Sequence, residues 1–184
     1  MLPEFPYFVK CPDCSVFFKI NDKAIVGKDN RRDVFYDDVS EKDARYTFVK
    51  FMSVDEYQQA ISEGLYNGDE RDILSLRISL WMRYNDRYDE NRRCNAKYSE
   101  SEINKIDKKD LYEDNCQKIL EIINVQTDDE SILMQAELWR NLGEFNKCEN
   151  LLGEIEKPEK YKRYMLSIKA ACEAKNTLTI ETKG

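Results

Sequence analysis

Cys11-Pro12-Asp13-Cys14 is the run of this chain whose residue types and spacing come closest to chemistry. Two thiolates held on a Cys-x-x-Cys turn present half of the tetrahedral set that a structural Zn2+ takes. Histidine is absent, so the other ligands would come from Cys94, Cys116, Cys148 or Cys172, from carboxylates, or from a second copy of the chain. The cofactor expectation is zinc on Cys11 and Cys14, or none, and two half-sites meeting would make the hairpin a homodimer contact. A redox reading of the same motif needs its cysteines to open a helix. Here Val16-Phe17-Phe18 follows instead, and that run favours a strand.

Other constellations are weaker. The lack of histidine removes every mechanism that uses an imidazole of this chain as base, nucleophile or ligand. Asp128-Asp129-Glu130 could bind a cation or act as paired carboxylates, but three acids at a helix start are adequately explained by capping and the helix dipole. Arg71, Arg77, Arg83, Arg87, Arg92 and Arg93 could clamp an acidic peptide, or pair with the acids around them. Trp81, Tyr84, Trp139 and Phe145 fall at helical spacing, which predicts packing between helices in preference to a ligand platform.

The composition sets the background. The 184 residues carry 29 Lys and Arg against 36 Asp and Glu, a net charge of -7, which gains little from a phosphate backbone and disfavours nucleic acid as a partner. Hydrophobic residues make up 41 %, enough to fold a core. Neither a basic, apolar leader nor a run of 18 apolar residues occurs, so neither export nor a membrane span is expected. Cys116, Cys148 and Cys172 sit at apolar or small positions of helical patterns. They read as reduced thiols in a cytoplasmic protein.

These groups must be positioned by local structure. The β-prone stretches 7–10 and 16–20 flank the cysteine turn and predict a hairpin, 21–43 reads as a long loop, and 46–51 as a short strand. Ser53-Val54-Asp55-Glu56 has the form of a capping box, predicting a short helix from Val54 that stops near Gly64. Asp69 should cap a helix from Glu70 to about Asn85-Asp86, with a polar connection from Arg87 to Ser101. A helix from Lys108 to Asn124 follows, and Thr127-Asp128 caps the next.

From Asp129 onward the spacing resembles a tetratricopeptide repeat. Ile132, Gln135, Ala136 and Trp139 fall on the key steps of its first helix, Gly143-Glu144-Phe145 on its turn, and Cys148, Leu152 and Ile155 on its second helix, with Pro158 closing the unit. Gln135 stands where the family has leucine, and Ile132 where it has tryptophan. The resemblance implies that Ala136 and Cys148 make room for Trp139 and Phe145, and that helices at 70–85, 108–124 and 160–174 complete the stack. The run from Ala136 to Phe145 after a Cys-Pro-x-Cys hairpin is similar to bacterial proteins that join a zinc-ribbon-like start to helical repeats.

The fold class expected is therefore mainly α, with tetratricopeptide-like antiparallel helix pairs and a small N-terminal β-hairpin. The divisions expected are a β/loop segment over 1–52, a helical domain over 53–175 and a tail over 176–184. The function expected is non-enzymatic protein or peptide binding through the groove, with a zinc module or a carboxylate hydrolase as alternatives. The resemblance assigns the groove contacts to Leu133, Glu137, Arg140 and Asn141, on the face that Ala136 and Trp139 leave open.

Overall fold

The computed structural model describes residues 8–11, 14–20, 52–65, 69–93 and 109–177. Within them the chain is mainly helical, with one two-stranded antiparallel hairpin. It divides into two compact units, Met1–Tyr66 and Asn67–Gly184. The loop expected over 21–43 and the strand expected over 46–51 lie outside the described residues.

In the first unit β1 (Phe8–Lys10) pairs with β2 (Phe17–Lys19), with Val9 opposite Phe18. Phe8 and Phe17 are buried on one face of the hairpin, and Val9 is buried on the other, where Phe18 opposite it is exposed. α1 (Val54–Ser62) begins at the expected box: the Ser53 hydroxyl accepts from the Glu56 amide, and the Glu56 carboxylate accepts from the Ser53 amide. It ends on Gly64 at φ +72°, with Leu65 N–H donating to the Ala60 carbonyl and Gly64 N–H to that of Ile61. Lys10 Nζ reaches Gln59 Oε1 at 3.4 Å, tying hairpin to helix. α1 thus lies in the same compact unit as the hairpin.

The second unit holds α2 (Glu70–Arg93), α3 (Lys109–Ile123), α4 (Asp129–Asn141), α5 (Phe145–Leu152) and α6 (Pro158–Glu173). α2 runs well past the expected end near Asp86 and takes in the start of the expected polar connection. Losing an apolar pattern does not end a helix, because Arg and Glu are good helix formers in water. α2 packs on α3, α3 on α4, and α4 on both α5 and α6.

One core cluster unites the last three helices: Ile132, Ala136, Cys148, Leu152, Ile155, Tyr161, Ile168 and Cys172, with Trp139 and Phe145 packed against it. Ala136 and Cys148 are both fully buried, so the small side chains do lie at the contact. α4 ends in a Schellman motif: Glu144 N–H donates to the Trp139 carbonyl and Gly143 N–H to that of Arg140, with Gly143 at φ +80°. A β-carbon there would meet only a methyl of Thr177 at 3.8 Å, so backbone freedom, not space, is what the turn requires. Pro158 opens α6, where its missing N–H costs nothing.

Candidate functional site

α6 ends as α4 does, but without glycine. Asn176 N–H donates to the Ala171 carbonyl and Lys175 N–H to that of Cys172, and Lys175 itself takes φ +51°. This left-handed residue costs a lysine roughly 1 kcal/mol and swings the following residues across the end of α4. There Arg140 Nη1 donates to the Asn176 carbonyl and Asn141 Nδ2 donates to the Thr177 carbonyl at 2.9 Å. Two adjacent side chains of one helix thus hold two consecutive carbonyls of the segment that follows α6.

The groove residues expected from the repeat spacing divide on this point. Leu133 and Glu137 are half-buried, whereas Arg140 is 0 % exposed and Asn141 is 5 % exposed. The open face expected for Arg140 and Asn141 is thus corrected to a covered one, because residues 176–177 lie on it. The expected division at 176 also differs, since Asn176 and Thr177 are bonded into the helical unit.

Burying a guanidinium requires that its charge be met. The Glu137 carboxylate does so in a fork, accepting from Arg140 Nε at 3.0 Å and from Nη2. Asn141 is held just as fully, because its Oδ1 accepts from Trp81 Nε1 of α2 at 3.0 Å. The helical spacing of Trp81 predicts packing in preference to a ligand platform. An indole N–H on the buried side of a helix must find an acceptor, and that was the available signal.

Elsewhere the titratable groups serve structure. The Asp128 carboxylate accepts from Ser131, whose hydroxyl and amide hold it below the usual carboxylate range. Asp129 accepts the amides of Glu156 and Lys157, just before α6. Glu130 accepts from Lys160 Nζ and the Tyr161 hydroxyl, which lower its pKa in that order. Each acid of the trio is engaged as a cap or an ion pair.

On α2 the side chain of Arg77 donates to Asn115 Oδ1 at 3.2 Å, while Asn115 Nδ2 donates to the Arg77 carbonyl. Burial lowers the Arg77 pKa, against Asp114 and Glu121. On α3 burial pushes the Tyr112 hydroxyl far up and the Cys116 thiol up to about 12, the reverse of what a nucleophile needs. Arg87, Arg92 and Arg93 have side chains outside the described residues.

At the hairpin, Cys11 is half-buried and Cys14 exposed. Cys11 N–H donates to the Val16 carbonyl at 2.8 Å and Ser15 N–H to that of Cys11 at 2.9 Å, with Ser15 at φ +59°. The turn is thus closed around the cysteine pair. No third His, Cys, Asp or Glu joins them among the described residues, which alone supply half of a tetrahedral set.

Among the described residues no helix is long and apolar enough to cross a membrane. Comparison with protein-family models, with curated proteins and with solved structures returns no match.

Proposed function

We propose that this chain is a non-enzymatic binding or scaffold protein, in which α4, α5 and their neighbours stack as tetratricopeptide-like antiparallel pairs and the inner face of α4 receives an extended protein segment. The observation that carries this reading is the double hold of Arg140 and Asn141 on the carbonyls of Asn176 and Thr177. Side chains that bind successive backbone carbonyls recognise an extended chain whatever its sequence, and half-buried Leu133 and Glu137 beside them would supply selectivity. In this chain its own segment takes that place, so a partner must displace it or bind beside it. A tethered segment competes at an effective concentration of about a millimolar.

The test is a labelled synthetic peptide of residues 174–184 added to the chain ended at Lys175, after circular dichroism has checked its helices. Saturable binding, weakened about tenfold or more by Asn141→Ala, is the expected outcome. Absence of binding at millimolar peptide to a folded, shortened chain would remove the reading.

A second reading, a zinc-stabilised hairpin that also self-associates, is favoured by the closed turn around Cys11 and Cys14. Its test is zinc content per chain with and without Cys11→Ser, together with mass in solution. Stoichiometric zinc lost in the variant supports it, and metal-free wild-type protein ends it.

A further inference from the structure

The small positions of α5 and α6 meet at a pair of thiols. Cys148 is 0 % exposed and Cys172 3 % exposed, and Cys172 Sγ stands 3.2 Å from Cys148 Sγ. A disulfide holds its sulfurs about 2.05 Å apart, so closing by about 1.2 Å would complete the bond. Each helix is anchored independently of the thiols: α5 packs on α4, and α6 is tied to α4 through the amides held by Asp129 and the Lys160–Glu130 contact. The two sulfurs are therefore held facing each other by the rest of the fold.

We propose that Cys148 and Cys172 are an oxidation site, converted by hydrogen peroxide into a disulfide that staples α5 to α6. The sulfur of Cys172, the less enclosed of the two, attacks one peroxide oxygen. An S–O bond forms, the O–O bond breaks, and the departing hydroxide takes the thiol proton and leaves as water. Cys148 then attacks the resulting sulfenic acid at sulfur. The S–S bond forms, the S–O bond breaks, and the second hydroxide leaves as water with the proton of Cys148. Two thiols are oxidised and one peroxide is reduced to two waters.

Burial raises both thiols, and Arg140, which favours both thiolates, is opposed at each site by Glu137 and at Cys172 also by Glu149. The reaction is accordingly slow at neutral pH, and the finished bond is shielded from reductants by the same enclosure. Because Asn176 lies only four positions beyond Cys172, the staple also anchors the start of the segment that crosses α4.

The experiment treats the full chain with hydrogen peroxide, unfolds it in urea with iodoacetamide, and maps tryptic peptides. The expected product joins peptide 148–160 to peptide 170–175, two hydrogens lighter than their sum. The oxidised chain should melt roughly 10 °C above the reduced one. Cys148→Ser should lose both effects and leave Cys172 as a sulfenic acid that dimedone captures, with Cys148→Ala as the substitute if that variant fails to fold. The proposal is overturned if both cysteines of the native chain accept iodoacetamide at a dose that fully oxidises the urea-unfolded chain. It is equally overturned if Cys172 pairs with any other thiol.

Discussion

Trp81 and Asn141 lie 60 positions apart, and the indole of the first donates its hydrogen bond to the amide oxygen of the second at 3.0 Å. The other end of that amide donates to the Thr177 carbonyl, 36 positions further on. One side chain of 5 % exposure therefore joins α2, α4 and the segment after α6. Neither apolar packing nor helix propensity could align three such distant stretches so narrowly.

Replacing Asn141 with Leu strands a buried indole N–H and the carbonyl of Thr177 together. The expected cost is about 2 kcal/mol in urea unfolding, accompanied by a changed emission of Trp81. Asn141→Asp should retain the indole contact, seen as a protected indole proton in NMR, while losing the bond to Thr177. An unchanged midpoint for the Leu variant would show that solvent reaches these groups.

The Glu137–Arg140 fork is asymmetric, because the Arg140 side chain is 0 % exposed and that of Glu137 is 18 % exposed. Glu137→Leu leaves a guanidinium that cannot reach water and should cost about 3–5 kcal/mol. Arg140→Met leaves a carboxylate that can hydrate, and should cost less. The double variant should recover part of the loss of Glu137→Leu, and a double-mutant cycle in urea measures the coupling.

Lys175 holds a left-handed conformation that glycine adopts without penalty. Lys175→Gly should therefore stabilise the chain by up to about 0.5 kcal/mol, the left-handed penalty less glycine's larger unfolded-state entropy. Lys175→Val should do the opposite. Thermal melts of the two variants check the sign, and a loss on glycine substitution would mean that the lysine side chain contributes more than its backbone costs.

Two exposed carboxylates set an acid limit. Asp128, held low by Ser131, and Glu130, held low by Lys160 and then Tyr161, have folded pKa values below their unfolded ones. Their contribution is present above the unfolded value near about pH 4 and is lost as pH falls through the folded values. Lys160 has the opposite sign: its pKa is raised by Tyr161 and then Glu130, so its contribution is present below its unfolded value and is lost as pH rises through the folded one. Melting temperature followed from about pH 6 to pH 2 should fall less steeply in Asp128→Asn than in the parent chain.

Much of the helical layout is legible in the sequence because it is local. Ser53 with Glu56 announces α1, Asp128 announces α4, and Gly64 and Gly143 mark two of the ends that need φ > 0. The close approach of α4 and α5 could be read from Ala136 and Cys148. The length of α2 could not be, because its last residues carry helix-forming charges without the apolar stripe that signals burial. Spacing around α4 did identify one face of the helix, but not what lies on it. The carbonyls that cover Arg140 and Asn141 belong to residues 36 positions away, delivered by a left-handed lysine that no residue pattern announces.

Gln135 is 7 % exposed and donates to the carbonyls of both Ile123 and Gln126. A leucine would fit its volume, and would also tolerate a helix displaced along its axis. An amide that grips two particular carbonyls does not. The amide acts as a ratchet tooth: α4 meets the end of α3 at one setting, and a slip by one turn would break both of its bonds while the Ile123 carbonyl kept only the Gln126 N–H.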